Sequence, residues 1–245
     1  MKRKTGKQKF SPKLKRLPGI SLAVILIALA AYGLGWSDLL AVKSIVISAG
    51  NEESLITQTL IPGVIHNGEP LARVDVAAIS RKLSNLSWVA KSTISRNWLS
   101  HKVSITVDIR KPVASFVAAD STTHYLDLHG VEFELPAPDT TVPTINFSKS
   151  SQSSQASQGA EQMAALLVQQ IPAAIIAGMD SLTIDSQDNA SMVASVGAHH
   201  NITIIWGDAT SMGLKVNVLM HLLALPENAK ITKVDLTNPL SPIVR

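Results

Sequence analysis

The chain has 245 residues, no cysteine, and 22 Lys and Arg against 18 Asp and Glu, for a formal net charge of +4. The missing cysteines exclude disulfides, a lipidated thiol anchor and thiolate metal sites. The positive balance does not mark a nucleic-acid binder: Lys2, Arg3, Lys4, Lys7, Lys9, Lys13, Lys15 and Arg16 crowd into the first sixteen residues with no acid among them, and the remainder, with 14 basic residues against 18 acidic ones, is net −4.

Residues 1–16 therefore read as a basic tail. Residues 17–37 carry no charge and include Ile20, Leu22, Val24, Ile25, Leu26, Ile27, Leu29 and Leu34, with Tyr32 and Trp36 near the far end. As a helix this stretch reaches roughly 31 Å, the thickness of a bilayer core. The excess of basic residues ahead of it predicts a cytoplasmic N-terminus and a single-pass type II arrangement, with residues 38–245 outside the cytoplasm. Ala28-Leu29-Ala30 offers the alternative of a cleaved signal peptide, although the apolar run continues past it.

Beyond the anchor, 41–48 is β-branched and predicts a strand. A short helix is expected over 52–60, stopped by Pro62-Gly63, then a turn through His66, Asn67, Gly68, Glu69 and Pro70. Asp75 is placed to N-cap a helix running to about Asn85, with Ala77, Ala78, Ile79, Lys82 and Leu83 suiting one apolar stripe. A strand is expected over 88–95, and a cleaner one where Val103, Ile105, Val107 and Ile109 alternate with Lys102, Ser104, Thr106 and Asp108. The order is strand, helix, helix, strand, strand.

After Lys111-Pro112 the pattern is mostly β. Short strands are expected over 113–118 and 124–128, a turn at His129-Gly130, and a hairpin partner over 131–135; residues 142–147 are ambiguous. Residues 148–158 are Ser- and Gln-rich and predict a flexible loop. A helix follows from about Ala160 to Pro172, then strands over 182–185, 192–196 and 202–206. A helix over 210–223 carries Met212, Val216, Leu219 and Leu223 on one stripe, and a final short strand is expected over 230–236.

These residues add up to a resemblance to the FtsQ/DivIB family of bacterial cell-division proteins. Residues 42–114 resemble its POTRA domain. Within them Leu86-Ser87-Trp88-Val89 is similar to the family's L-x-W-V turn, Ser95-Arg96-Asn97-Trp98 to its R-x-W-P corner, and Ile105-Thr106-Val107 with Pro112-Val113-Ala114 to I-x-V-x-E-R-x-P-v-A. Downstream, residues 125–133, with Asp127 and Gly130, resemble the y-l-v-D-x-x-G-x-x-f hairpin, and Val234-Asp235-Leu236 resembles v-D-l-R. Leu99, Ile109 and Thr237 depart from the family's usual Pro, Glu and Arg, and Lys233 stands where an aromatic is common.

The resemblance implies an α+β chain: a tail (1–16), one transmembrane helix (17–37), a β-α-α-β-β POTRA domain (38–111), and a mostly antiparallel β domain with flanking helices (112–245) whose loop is 148–158. It implies a non-enzymatic scaffold at the division septum, without cofactor, metal or nucleic acid. Such a scaffold links early and late division proteins, docks some of them through the POTRA domain, and holds FtsB-like and FtsL-like partners outside the cytoplasm. The family holds FtsB by strand addition beside its last strand, which carries over to Thr232, Lys233, Val234, Asp235 and Leu236. A terminal strand is often a sheet edge, with unpaired N–H and C=O groups that template another chain. Trp88, Arg96, Trp98, Pro112, Asp127 and Gly130 are expected to be structural: core and corner packing for the tryptophans, an unusual φ for Gly130, and local bracing of the hairpin for Asp127.

Two other classes are weighed against this one. A membrane-anchored cell-wall enzyme requires convergent polar groups in a pocket, yet no G-x-S-x-G, H-E-x-x-H or Gly-rich phosphate loop occurs. The single histidine pair, His199-His200, falls on an expected strand, where neighbouring rings point to opposite faces. A POTRA module of a transport or secretion system usually repeats the unit or adds a barrel, and neither pattern is present.

Overall fold

The computed structural model describes residues 17–36, 40–50, 53–118, 121–136, 141–148, 154–186 and 189–245. It is an α+β chain that divides into two compact units. One comprises the chain to Asn85 together with Lys91–Asp108; the other comprises Leu86–Ala90 together with Ile109–Arg245. The basic tail expected over 1–16 lies outside the described residues.

Helix α1, Leu17–Trp36, falls on the stretch expected to span a membrane. Its described side chains, residues 22–29, 32 and 33, are exposed or half-buried. Among the described residues, no helix is long and apolar enough to cross a membrane.

The first unit continues as β1 (Ser44–Ser48), α2 (Glu53–Val64), α3 (Val76–Ser84), most of β2 (Val89–Asn97) and β3 (Lys102–Ile109). The sheet order is β1-β3-β2. β1 runs parallel to β3, with Ser44 opposite Lys102 and Ser48 opposite Thr106. β3 is central, and its alternation resolves as expected: Val103, Ile105 and Val107 are buried while Thr106 and Asp108 face out.

Asp75 caps α3, its Oδ1 accepting from the Ala78 N–H at 2.9 Å, and Ile79 and Leu83, four apart, are the buried stripe. α2 corrects an expectation. Pro62-Gly63 does not stop it, and the helix runs on to Val64. A proline in the last turn removes one N–H and leaves the earlier ladder whole. Fully buried Ile56 within the helix and Ile65 just beyond it hold both ends of the segment against the core.

The second unit holds two sheets. β4 (Ala114–Val117), β5 (Thr123–Leu126) and β6 (Glu132–Phe133) form an antiparallel meander. The ambiguous stretch leaves β4 and joins the larger sheet: Ser115 N–H donates to Pro143 O and Ile145 N–H to Ser115 O, after which β7 (Asn146–Phe147) pairs with the next strand. Helix α4 (Ser154–Gln170), the short α5 (Ala173–Ile176), β8 (Met179–Ser186), β9 (Asn189–Val196), β10 (His199–Gly207), α6 (Met212–Ala224), a 3-10 turn (Pro226–Asn228), β11 (Lys233–Asp235) and β12 (Ile243–Val244) complete it. The large sheet runs β12-β11-β10-β9-β8-β7.

One further expectation changes here. The Ser- and Gln-rich segment is helical from Ser154 onward, since α4 extends its first turns into it. Ala160, Met163, Ala164 and Leu167 pin that helix to the sheet at helical spacing. The large sheet is mixed, although the domain's pairings stay mostly antiparallel, as expected. β7–β8 and β10–β11 are parallel, whereas β8–β9, β9–β10 and β11–β12 are antiparallel. Each parallel pair is joined through a helix, α4 in one case and α6 in the other, because parallel neighbours need a crossover.

One apolar core fills the space under the large sheet, combining Leu182, Ile184, Met192, Ile202, Ile204, Trp206 and Val234 with the helical residues. Each such side chain contributes about 1.5–3 kcal/mol on full burial.

Candidate partner interface

The strand expected to be the sheet edge is interior. β11 pairs in parallel with β10, Thr203 opposite Lys233 and Ile205 opposite Asp235. Thr203 N–H donates to Thr232 O, and Leu236 N–H to Ile205 O, each at 2.8 Å. On its other side β11 pairs antiparallel with β12, Val234 opposite Val244 and Asp235 opposite Ile243.

The reversal is built from short polar side chains. Asp235 Oδ1 accepts from Thr237 N–H, Asn238 Oδ1 accepts from Leu240 N–H, and Ser241 N–H donates to Asn238 O. These are Asx-type turns, which bring the chain back past Pro239 and Pro242. The edge strand of this side of the sheet is therefore β12, which the sequence reading passed over.

The ladder decides which backbone groups are free. Lys233 and Arg245 exchange both hydrogen bonds, Lys233 N–H to Arg245 O at 3.1 Å and Arg245 N–H to Lys233 O at 3.0 Å. The neighbouring Val234–Val244 pair is then the non-hydrogen-bonded one, so the Val244 N–H and C=O point away from β11. Among the described residues no strand pairs with that outer side.

Side chains sort by period two. Val234 and Leu236 are fully buried. Lys233, Asp235, Ile243 and Arg245 share the opposite face and line a small hollow of about 50 Å³. Ile243 is half exposed and Leu240, on the turn, is 84% exposed. Thr232 is exposed, and its N–H donates to Arg245 O at 2.8 Å. Of the five residues expected to meet a partner strand, Val234 and Leu236 belong to the core, and Thr232, Lys233 and Asp235 stand one strand in from the edge.

The six residues expected to be structural fall in two places. Trp88 is buried, and its carbonyl accepts from Arg110 N–H at 2.9 Å. Asp127, also buried, accepts from the His129 and Val131 N–H groups at 2.9 Å through Oδ1 and from Arg110 Nη1 through Oδ2. Burial opposes ionisation of the Asp127 carboxyl, but the Val131 and His129 donors and the Arg110 guanidinium outweigh it and hold its pKa below the usual carboxylate value. Gly130 has φ +74°, and a Cβ there would sit 2.6 Å from Gln162 Cα on α4. Pro112 is half-buried just ahead of β4, where no ladder N–H is asked of it.

In the first unit, Arg96 Nη1 donates to Leu71 O and Val74 O at 3.2 and 3.3 Å, and its guanidinium lies 5.7 Å from the Trp98 ring centroid. Trp98 is not core: it is 41% exposed, and Leu99 beside it is 96% exposed.

The histidine pair behaves as its spacing demands. His199 is buried with Nε2 3.1 Å from Asn228 O, while His200 is exposed. Among the described residues no group of three His, Asp or Glu side chains is placed to hold a metal.

A cavity of about 400 Å³ lies between the His129–Glu132 turn and α4, lined by His129, Gly130, Val131, Glu132, Gln158, Glu161 and Gln162. Burial first, and then the charge of Glu132, raise the Glu161 pKa above its usual value.

The sequence reading also missed Lys215. It is buried on α6, with Nζ 2.7 Å from Trp206 O and 2.9 and 2.8 Å from Asp208 O and Oδ1. Lys215 and the Thr210 hydroxyl hold the Asp208 pKa down to about 2, against a smaller opposing effect of burial. A lysine four residues before Leu219 on the apolar stripe was the available signal.

No family model and no curated protein matches this chain.

Proposed function

We propose that the chain is a membrane-anchored, non-enzymatic scaffold of the bacterial division septum, of the FtsQ/DivIB kind. In this reading residues 17–37 are the anchor: the stretch is uncharged, about as long as a bilayer core is thick, and preceded by eight basic residues. The first unit acts as a POTRA domain, a reading supported by its strand-helix-helix-strand-strand order and its β1-β3-β2 sheet.

The observation that carries the reading is the open side of β12, with the Val244 N–H and C=O directed outward at the end of a six-stranded sheet. An FtsB-like partner adds a strand there, and an FtsL-like partner joins through it. Backbone bonds to Val244 supply affinity, and the face formed by Lys233, Asp235, Ile243 and Arg245 supplies selectivity. The scaffold regulates wall synthesis at the septum by assembling these partners.

Val244→Pro tests it. The substitution removes the outward N–H and leaves the bonds between Lys233 and Arg245 in place. Binding of an FtsB-like ectodomain to this variant, measured by calorimetry, is expected to be lost. Unchanged affinity sinks the strand-addition reading. A membrane-anchored cell-wall enzyme or a transport module predicts no such dependence on Val244.

A further inference from the structure

The turn between β2 and β3 presents two large apolar side chains on a rigid frame. Asn97 Oδ1 accepts from Leu99 N–H at 3.0 Å and from Ser100 N–H at 3.1 Å, and His101 closes the turn at φ +55°. Arg96 braces Trp98 across its ring face through the contact already described. Apolar groups held out in this way lose little freedom on meeting a surface.

The turn sits where the chain enters the unit. Lys43 N–H donates to His101 O at 2.9 Å, and Ser44 lies opposite Lys102 at the start of the β1–β3 ladder. Lys43 follows Trp36, the last residue of α1, by seven positions, which at full extension span at most about 25 Å. The charge beside the turn is mainly basic. Lys43, Arg96 and Lys102 flank the turn, and no acidic residue occurs between Asp75 and Asp108. Glu69, whose carbonyl accepts from Val42 N–H, is an acid near this end.

We propose that Trp98 and Leu99 form a membrane-contact site. They enter the headgroup layer of the bilayer that holds α1, while Lys43, Arg96 and Lys102 face anionic lipid phosphates. The site rests on the reading of α1 as a membrane anchor. Tryptophan favours the membrane–water interface, and basic residues close to an anionic surface add to the attraction. A second tether of this kind limits how far the first unit can swing away from the bilayer.

The absence of native cysteine makes the test clean. Full-length chain carrying a nitroxide at Ser100→Cys, or separately at Leu29→Cys in α1, is placed in nanodiscs containing phosphatidylglycerol, and accessibility to oxygen and to a water-soluble nickel chelate is read by EPR. The expected result is a lipid-type ratio at both positions. At Ser100→Cys the ratio should be several-fold above that of the same label on a Trp98→Ser, Leu99→Ser background. A label at position 29 in lipid with the label at position 100 in water overturns the contact site and leaves the anchor standing. Water at both positions overturns both. A position-100 label shielded from both reagents marks a protein contact and overturns the lipid assignment, as does a signal unchanged by the double substitution.

Discussion

Arg110 and Asp127, seventeen residues apart, form the ion pair that ties the start of the second unit to its first hairpin. Arg110 also donates from Nε to Ser87 O, while Asp127 organises the turn that carries Gly130. Segments 86–89, 110–114 and 125–133 thus meet at one charged contact.

Asp127→Asn keeps the shape of the side chain and removes its charge. It is expected to cost about 1–3 kcal/mol, the range for a charged hydrogen bond whose partner is left behind. In urea unfolding the midpoint should fall with the slope unchanged. The pH dependence follows from the depressed pKa. The pair's contribution is complete above the unfolded carboxylate value, near pH 4, and is lost as pH falls below it. The Asn variant should lack that part of the acid limb.

Gly130→Ala and Gly68→Ala separate two costs. Both glycines have positive φ, +74° and +89°, but only Gly130 has a helix backbone against it, whereas nothing lies within 4 Å of a Cβ at Gly68. The left-handed conformation alone costs alanine about 1–2 kcal/mol. Gly68→Ala should stop there. Gly130→Ala should lose about 1–3 kcal/mol more, because α4 must move.

Lys215→Met retains the buried stem and deletes the ammonium. It leaves the Trp206 and Asp208 carbonyls without this donor, an expected loss of about 2–4 kcal/mol in denaturant unfolding. Its acid profile should differ as well. Asp208, held at about 2, contributes above its unfolded value and loses that contribution as pH drops from about 4 through 2. The Met variant should show a shallower decline over that window.

Proline at Val234 and at Val244 should give opposite results. Val234 is fully buried between β10 and β12, so Val234→Pro removes a bond from an interior ladder and should lower the melting temperature sharply. Val244→Pro should leave the melting temperature near that of the parent chain, since its N–H points off the sheet. Hydrogen exchange reads the same contrast, with protection lost across β10 and β11 in the first variant only.

The strands and helices that announce themselves locally were legible. β3 alternates cleanly, and α3 carries its cap at Asp75 and its stripe at Ile79 and Leu83. What escaped depends on partners distant in sequence. β12 is two residues directly after Pro242, and it becomes a strand only because Asp235 and Asn238 fold the chain back onto β11. The first turn of α4, Ser154-Gln155-Ala156-Ser157, has no apolar stripe of its own, yet Ala160 to Leu167 hold the helix against the sheet. Parallel pairing of β10 with β11 cannot be seen in either strand, only in the helix between them. Lys215 went unread because its burial depends on Trp206 and Asp208, which meet it only in the fold. At the interface, the strand 233–235 could be found by pattern, but its place one row in from the edge could not.

The parallel pairing of β1 with β3 also sets an order of events as the chain emerges. Ser44–Ser48 appears first and has no hydrogen-bonding partner until Lys102–Ile109 arrives, because α2, α3 and β2 come between. Closing that long loop is slow, and an apolar strand waiting for its mate is open to wrong company. A nascent first unit cut short after α3 would hold β1 as a bare edge, so it should need either a holding chaperone or the rest of the unit to stay soluble.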